Sequence, residues 1–167
     1  MMMPYYQEDG ITIYHGDCRD ILPHLEPVDL VLTSPPYDNL REYGGHDFNY
    51  TEVIDALYPK IDRICVWIVG DSVVDGSETG NSFRQALYFI NKGLNLHDTM
   101  IYWKNSFAFP ESTRYAQVFE YMFIFSRGTP SLVNISRVAT NRENRIKTKS
   151  SCYRRKDGTT EKMNTLS

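Results

Sequence analysis

The pattern of apolar positions predicts short strands separated by helical segments. Runs of apolar and β-branched residues recur along the chain, and one of them, VDLVLT, is almost continuously apolar, as expected of a buried parallel strand. The strands predicted in this way are Ile11–Tyr14, Val28–Thr33, Arg63–Gly70, Thr99–Trp103 and Gln117–Ser126. After Gly128 the periodicity fades and polar residues dominate.

Three segments between these runs have helical character. They are Asp17–Leu25, Thr51–Tyr58 and Asn81–Asn91. The second begins with a threonine, which we expect to cap the helix. In the third, Phe83, Ala86, Leu87 and Ile90 form an apolar stripe at helical spacing, and Gly93 closes the segment.

The alternation of strands and helices predicts an open α/β fold with a largely parallel sheet and flanking helices. The last two strands fit an antiparallel addition at one edge. Ligands of such sheets bind beyond the carboxyl ends of the strands. Two loops that follow predicted strands, Gly16-Asp17 and Ser34–Tyr37, therefore indicate the position of a functional site.

Length and composition fit one compact domain. The chain has 167 residues, of which 41% are hydrophobic and 23% charged. No apolar run reaches the roughly 18 residues of a membrane-spanning helix. The three cysteines lie far apart, without metal-ligand spacing, which favours a reducing, cytoplasmic setting. The four histidines likewise show no spacing typical of a metal site, so we expect no metal.

The net charge of −3 conceals a basic segment near the carboxyl end. Nine Lys/Arg and three Asp/Glu lie between Arg137 and Lys162, a local charge of +6 that includes Arg154, Arg155 and Lys156. Such a segment favours binding to a polyanion, and a solvated, disordered tail is the equal alternative. We expect residues 1–130 to form the folded portion and residues 131–167 a separate basic region, flexible in the second interpretation.

The strongest chemical signal is the peptide Thr33-Ser34-Pro35-Pro36-Tyr37 at the end of a buried strand. Prolines lack an N–H and fix φ, so this loop presents carbonyl acceptors rigidly and without competing donors. Ser34 adds a hydroxyl and Tyr37 a flat aromatic face. Acceptors beside a stacking surface suit an amino group on a planar ring, and a base that leaves a duplex needs such a surface.

This peptide resembles the catalytic motif of the N4-cytosine and N6-adenine DNA methyltransferases of restriction–modification systems and phages. The similarity extends over roughly residues 11–130. Its further parts are Gly16-Asp17-Cys18, Asp38–Gly45, Val69–Ile90, Leu94–Phe107 and Arg114–Gly128.

The resemblance implies an incomplete Rossmann-like fold and methyl transfer from S-adenosylmethionine to an exocyclic amine of DNA by base flipping. The implied catalytic residues are Ser34, Pro35, Pro36 and Tyr37. Because the aromatic face of Tyr37 is the part expected to stack on the base, we expect the ring to matter more than the hydroxyl. The implied cofactor contacts are Asp17, Cys18, Thr33 and Ser34.

One part of the family pattern is absent. No Phe-x-Gly-x-Gly loop for the methionine part of the cofactor is evident, and only 33 residues precede Ser34. In a circularly permuted subgroup of the family, this cofactor half follows the target-recognition region. The chain fits that order, so we expect it to be the first portion of a longer enzyme, a split-gene subunit completed by a second chain, or a remnant, with residues 131–167 beginning the recognition region.

Contacts to double-stranded DNA are expected from polar residues near the active loop, near the sheet edge and in the basic segment. These candidates are Arg41, Tyr43, Lys104, Asn105, Arg114, Arg154, Arg155 and Lys156. Glu120, within an apolar strand, is expected to have a partner. Cys18 and Cys65 lack the preceding proline of the nucleophile that attacks cytosine C5, which argues against covalent attack on the ring.

Three alternatives compete with an active DNA amino-methyltransferase. A non-catalytic DNA-binding remnant would share the fold and the basic segment but bind no cofactor alone. An RNA or protein amine methyltransferase would usually place its cofactor motif upstream of the loop, where this chain has no room. A plain α/β structural domain leaves the coincident motifs unexplained. The sequence leaves cytosine N4 and adenine N6 both open.

Overall fold

The computed structural model describes residues 3–37, 48–105, 114–115 and 117–130, together with the backbone of residues 152–154 and 160–162. The chain divides into two compact units, Met1–Leu132 and Val133–Ser167. The larger unit contains the main sheet, and the smaller contains an antiparallel pair of three-residue strands.

The strands in chain order are β1 (Tyr6–Glu8), β2 (Ile11–Ile13), β3 (Val28–Thr33), β4 (Ile61–Val69), β5 (Val73–Val74), β6 (Ser77–Glu78), β7 (Asn95–Trp103), β8 (Phe119–Ser126), β9 (Cys152–Arg154) and β10 (Thr160–Lys162). The α-helices are α1 (Cys18–Ile21), α2 (Tyr50–Leu57) and α3 (Asn81–Asn91). Short 3-10 turns, Leu22–His24 and Tyr58–Lys60, continue α1 and α2.

The main sheet is mixed and has the strand order β3-β4-β8-β7. β3 and β4 pair in parallel, and β8 lies antiparallel between β4 and β7. β7 therefore runs in the same direction as β3 and β4, and only β8 is reversed. The predicted antiparallel addition is thus one inserted strand, which leaves the carboxyl ends of β3 and β4 side by side.

The core lies between one face of this sheet and the helices α2 and α3. Ile54 and Leu57 of α2 and Phe89 of α3 pack on the buried side chains of β4 and β8. The ring of Phe89 stacks on Phe125 at a centroid distance of 4.5 Å and meets Trp67 edge-on at 5.0 Å. Removing so enclosed an aromatic ring typically costs about 3–5 kcal/mol, so this contact anchors α3 to the sheet.

The buried face of α3 differs from its apolar stripe. Phe83, Leu87 and Ile90 are exposed, whereas Ser82 and Gln85 are fully buried. The polar residues tolerate burial because each is hydrogen-bonded; the Trp67 indole N–H, for example, donates to Gln85 Oε1 at 2.8 Å. Only Ala86 of the stripe lies in the core.

Two other local predictions change in the structure. The cap of α2 is Asn49 rather than Thr51, because the Asn49 side chain accepts hydrogen bonds from the Thr51 N–H and hydroxyl at 3.1 and 2.7 Å. The first predicted strand, β2, pairs with β1 in a separate two-stranded hairpin and does not join the main sheet. In the part of the chain that the structure describes, no helix is long and apolar enough to cross a membrane.

Candidate active site

The Ser34–Tyr37 loop begins where β3 ends, at the carboxyl edge of the sheet. Thr33 pairs with Trp67 of the parallel neighbour β4, so the loop emerges beside the end of that strand. Pro35 is buried, Pro36 and Tyr37 are half-buried, and Ser34 is exposed. The prolines thus anchor the loop against the sheet and leave the Ser34 hydroxyl accessible at the edge where ligands of α/β sheets bind.

A cleft of about 540 Å³ opens next to this loop. Its walls include all four residues predicted to contact the cofactor, namely Asp17, Cys18, Thr33 and Ser34. The rest of its lining is largely apolar and includes Leu22, Val31, Phe48, Val53 and Leu57. A cleft of this volume, apolar with a few polar groups, is typical of a small-molecule site.

Charged side chains form one rim of the cleft. Asp17 caps α1, since its carboxylate accepts the Arg19 N–H at 2.8 Å. The Arg19 guanidinium bridges the carboxylates of Asp17 and Glu52, at 2.7 Å from Asp17 Oδ2. These hydrogen bonds to Asp17 and Glu52 hold the pKa of Arg19 above its usual value. Asp17 is therefore both a helix cap and a wall of the cleft.

The cysteines of the large unit are not activated nucleophiles. Burial raises the pKa of the Cys65 thiol to about 12. The pKa of Cys18 is also raised, first by partial burial and then by the charge of Asp17. A thiol must ionise to attack, so these environments agree with the sequence-based argument against covalent chemistry on the base.

Tyr37 points away from the cleft, towards β8. Its hydroxyl donates to Glu120 Oε2 at 2.9 Å and lies 2.8 Å from Ser34 Oγ. The Lys104 ammonium donates to the other carboxylate oxygen of Glu120, also at 2.9 Å. The partner expected for Glu120 is therefore present. The hydroxyl of Tyr37, which sequence analysis treated as secondary to the ring, lies at the centre of a hydrogen-bonded chain.

Gly70, directly after β4, leaves room for the Tyr37 ring. A Cβ at position 70 would lie 3.7 Å from Tyr37 Cδ2 and 3.9 Å from Glu120 Cγ, which is ordinary van der Waals contact. The end of β4 thus lies beside the Tyr37 ring and Glu120.

Asp71, the next residue, is a buried carboxylate with a structural task. It accepts hydrogen bonds from the Ser82 N–H at 3.0 Å, from the Ser82 hydroxyl, and from the Thr79 hydroxyl at 3.2 Å. Asp71 thereby provides an acceptor for a backbone N–H in the first turn of α3, where the N-cap residue Gly80 has no side chain to do so. Asp71 is not among the site residues predicted from the sequence. An aspartate directly after a strand fits a structural role and a catalytic role equally well, so its position in the sequence does not distinguish them.

The predicted DNA contacts fall into two groups. Among described side chains, Lys104 is paired with Glu120, Asn105 is exposed after β7, and Arg114 donates to the Gly76 carbonyl. The predictions for Arg41, Tyr43, Arg155 and Lys156, and for the side chain of Arg154, lie outside the described residues. The predicted DNA contacts therefore stay a prediction. For Lys104 the structure offers a second role, as the partner of Glu120.

Residues 28–165, which begin at the first residue of β3 and include the Ser34–Tyr37 loop, match the family model described as DNA methylase. The chain belongs to this family. The resemblance stated from the motifs is thereby confirmed.

The curated relatives are also named as methyltransferases. The chain is 54% identical over 122 residues to the orphan methyltransferase M.BamHII of Bacillus amyloliquefaciens, which covers 72% of this chain and 43% of M.BamHII. A shorter match, 41% identical over 44 residues, covers 25% of this chain and 14% of the type II methyltransferase M.ScaI of Streptomyces caespitosus. The chain thus spans less than half the length of either relative.

Solved structures share the fold at low sequence identity. A putative DNA modification methylase from Thermus thermophilus, determined with S-adenosyl-L-methionine, matches with a TM-score of 0.53 and 21% identity, over 75% of this chain and 57% of that one. M1.HpyAVI matches with a TM-score of 0.52 and 20% identity, over 68% and 54% of the two chains. The predicted fold class, an incomplete Rossmann-like methyltransferase sheet with flanking helices, is confirmed.

Proposed function

We propose that this chain forms the catalytic-loop portion of an S-adenosylmethionine-dependent enzyme that methylates the exocyclic amine of cytosine (N4) or adenine (N6) in double-stranded DNA. The observation that carries the proposal is the cleft of about 540 Å³, which joins the four candidate cofactor residues to the Ser34–Tyr37 loop. A methyl donor in this cleft would lie next to an amine held by the loop.

In this proposal the loop grips the amino group. The lone pair of an exocyclic amine is delocalised into its ring, so two acceptors on its N–H bonds favour a pyramidal, nucleophilic nitrogen. Ser34 Oγ and the Pro35 carbonyl supply these acceptors, and the face of the Tyr37 ring stacks on the flipped base. Fixed acceptors act by positioning the amine and stabilising the charge that develops on it.

The cleft suits the adenosine part of the cofactor, with apolar walls for the base and Asp17 at the rim. We further propose that the segment for the methionine part belongs to a portion of the protein beyond this chain, since M.BamHII is more than twice as long as its matched region. Leu30 and Leu32 of β3 are 57% and 65% exposed on the face of the sheet opposite the Val31 side chain, which favours a further packing partner on that face.

Reconstitution tests the proposal. This chain would be combined with the part of M.BamHII that has no counterpart in it, and tritium transfer from labelled S-adenosylmethionine to duplex DNA would be measured. We expect transfer by the combination and much less by either part alone. Intact binding of the combination to cofactor and DNA without any transfer would instead favour a non-catalytic remnant.

A further inference from the structure

We infer that Glu120 is a positioning residue that, through the Tyr37 hydroxyl, fixes the Ser34 hydroxyl as a hydrogen-bond acceptor for the substrate amine. The inference rests on the proposed function and adds to it the reason why a serine can serve at this position. A hydroxyl can either donate or accept, whereas an amine with two N–H bonds to be gripped needs an acceptor.

The direction of the hydrogen bonds follows from counting protons. The Glu120 carboxylate has no proton to give, so the Tyr37 hydroxyl is the donor in the 2.9 Å contact between them. Tyr37 has only one hydroxyl proton. In the 2.8 Å contact between Ser34 and Tyr37, Ser34 must therefore donate. The Ser34 proton then points to Tyr37, and the lone pairs of Ser34 Oγ are left to accept.

Lys104 lies at the other end of this series of hydrogen bonds, which runs from Lys104 through Glu120 and Tyr37 to Ser34. An ammonium has three donors and no acceptor, and the Lys104 ammonium lies 2.9 Å from Glu120 Oε1. The Glu120 side chain is only 17% exposed, so water competes weakly for it. Glu120 thus accepts one hydrogen bond at each carboxylate oxygen, from Lys104 at Oε1 and from Tyr37 at Oε2. Because Tyr37 donates its proton to Glu120, it can only accept from Ser34. Glu120 itself need not touch substrate.

The isosteric variant Glu120→Gln reverses the direction of the hydrogen bonds at Tyr37. A glutamine has one acceptor oxygen and one donor amide group. Because the Lys104 ammonium can only donate, it pairs with the amide oxygen of the glutamine. The amide NH2 group then faces Tyr37 and donates to its hydroxyl. Tyr37 then donates to Ser34, and the Ser34 proton points at the incoming amine. In the double variant Glu120→Gln/Lys104→Met, the oxygen is free to turn back and accept from Tyr37, which restores the original direction.

The test compares kcat and KM for duplex DNA in the reconstituted enzyme. We expect Glu120→Gln to lower kcat about tenfold or more, up to the hundredfold to thousandfold typical of a lost transition-state contact, with KM little changed. The double variant should recover most of that loss in kcat at saturating DNA, although it carries more substitutions. Loss of the predicted phosphate contact of Lys104 would affect KM instead. Tyr37→Phe should resemble Glu120→Gln, because Ser34 loses the acceptor for its proton.

A wild-type kcat in Glu120→Gln, or a double variant no better than the single one, would overturn the inference. An inactive wild-type reconstitution would count against the proposed function instead. A readout that needs no activity keeps the two separate. With 3-fluorotyrosine at position 37 of this chain, the fluorine resonance should shift in Glu120→Gln and return towards the wild-type position in the double variant. Identical resonances in all three proteins would show that Glu120 does not set the direction of the hydrogen bonds at Tyr37.

Discussion

Replacement of Ser34 by alanine separates chemistry from stability at the centre of the site. The variant removes one acceptor but keeps the Pro35-Pro36 backbone. Ser34 is exposed and its hydroxyl makes the 2.8 Å hydrogen bond to Tyr37, so the stability loss should not exceed about 0.5–1.5 kcal/mol. Loss of an acceptor that works in the transition state should raise the barrier by about 2.7–4 kcal/mol, roughly a hundredfold to thousandfold in rate.

Ser126→Ala is the matched control. Ser126 lies at the opposite end of β8 from Glu120, is 1% exposed, and donates its hydroxyl proton to the Gly128 carbonyl at 2.8 Å. Its loss should cost about 0.5–1.5 kcal/mol of stability and leave the rate unchanged. DNA affinity should hold in both variants, because phosphate contacts dominate it.

The assay is single-turnover methyl transfer by the reconstituted enzyme, with thermal unfolding of each variant measured in parallel. Near-wild-type turnover by a folded Ser34→Ala protein would refute the acceptor role. A loss of equal size in Ser126→Ala would show that turnover follows stability rather than the chemistry of the loop.

Three further outcomes are expected. Neutralising the basic residues 154–156 together should flatten the plot of log DNA affinity against log salt by up to about 2.7 units; an unchanged slope would mean that these residues do not touch phosphate. Titration calorimetry on this chain alone should find weak or no binding of S-adenosylmethionine, and a low-micromolar dissociation constant, about −8 kcal/mol, would contradict the proposed outside segment. In a Cys18→Ser/Cys152→Ser variant, burial raises the pKa of the remaining Cys65 to about 12, so a disulfide reagent at pH 8 should react slowly until denaturant is added; rapid reaction of the folded protein would argue against this burial.

The sequence predicted the parts of the molecule that depend on local pattern. The positions of the strands β3, β4, β7 and β8 and of the helices α2 and α3 were all expected within a few residues, because apolar patterns and breakers mark them directly. The expected burial of β3 was wrong, since it is the edge strand of the main sheet and its Leu30 and Leu32 side chains are exposed. All four candidate cofactor residues line one cleft, as the sequence predicted. The strand-end argument explains only Thr33 and Ser34, which lie at the carboxyl end of β3. Asp17 and Cys18 follow β2, which lies outside the main sheet.

The features that sequence reasoning missed depend on contacts between distant segments. The buried face of α3 includes Gln85 because Trp67, on a different element, supplies its hydrogen-bond partner. The apolar stripe of α3 therefore predicted the wrong face of the helix as the buried one. The link between Tyr37 and Glu120 joins residues 83 positions apart, and Glu120 is in turn paired with Lys104. Only the register of β7 and β8 beside the active loop brings these groups together.

The identity of the methylated nucleoside tests the central claim most directly. Duplex DNA would be incubated with the reconstituted enzyme and S-adenosylmethionine, digested to nucleosides, and analysed by liquid chromatography and mass spectrometry. A loop that grips an exocyclic amine predicts N4-methylcytosine or N6-methyladenine, strongly reduced in Ser34→Ala. The appearance of 5-methylcytosine would contradict the account, because it requires attack on the ring by a nucleophile that the site residues Ser34–Tyr37 do not provide.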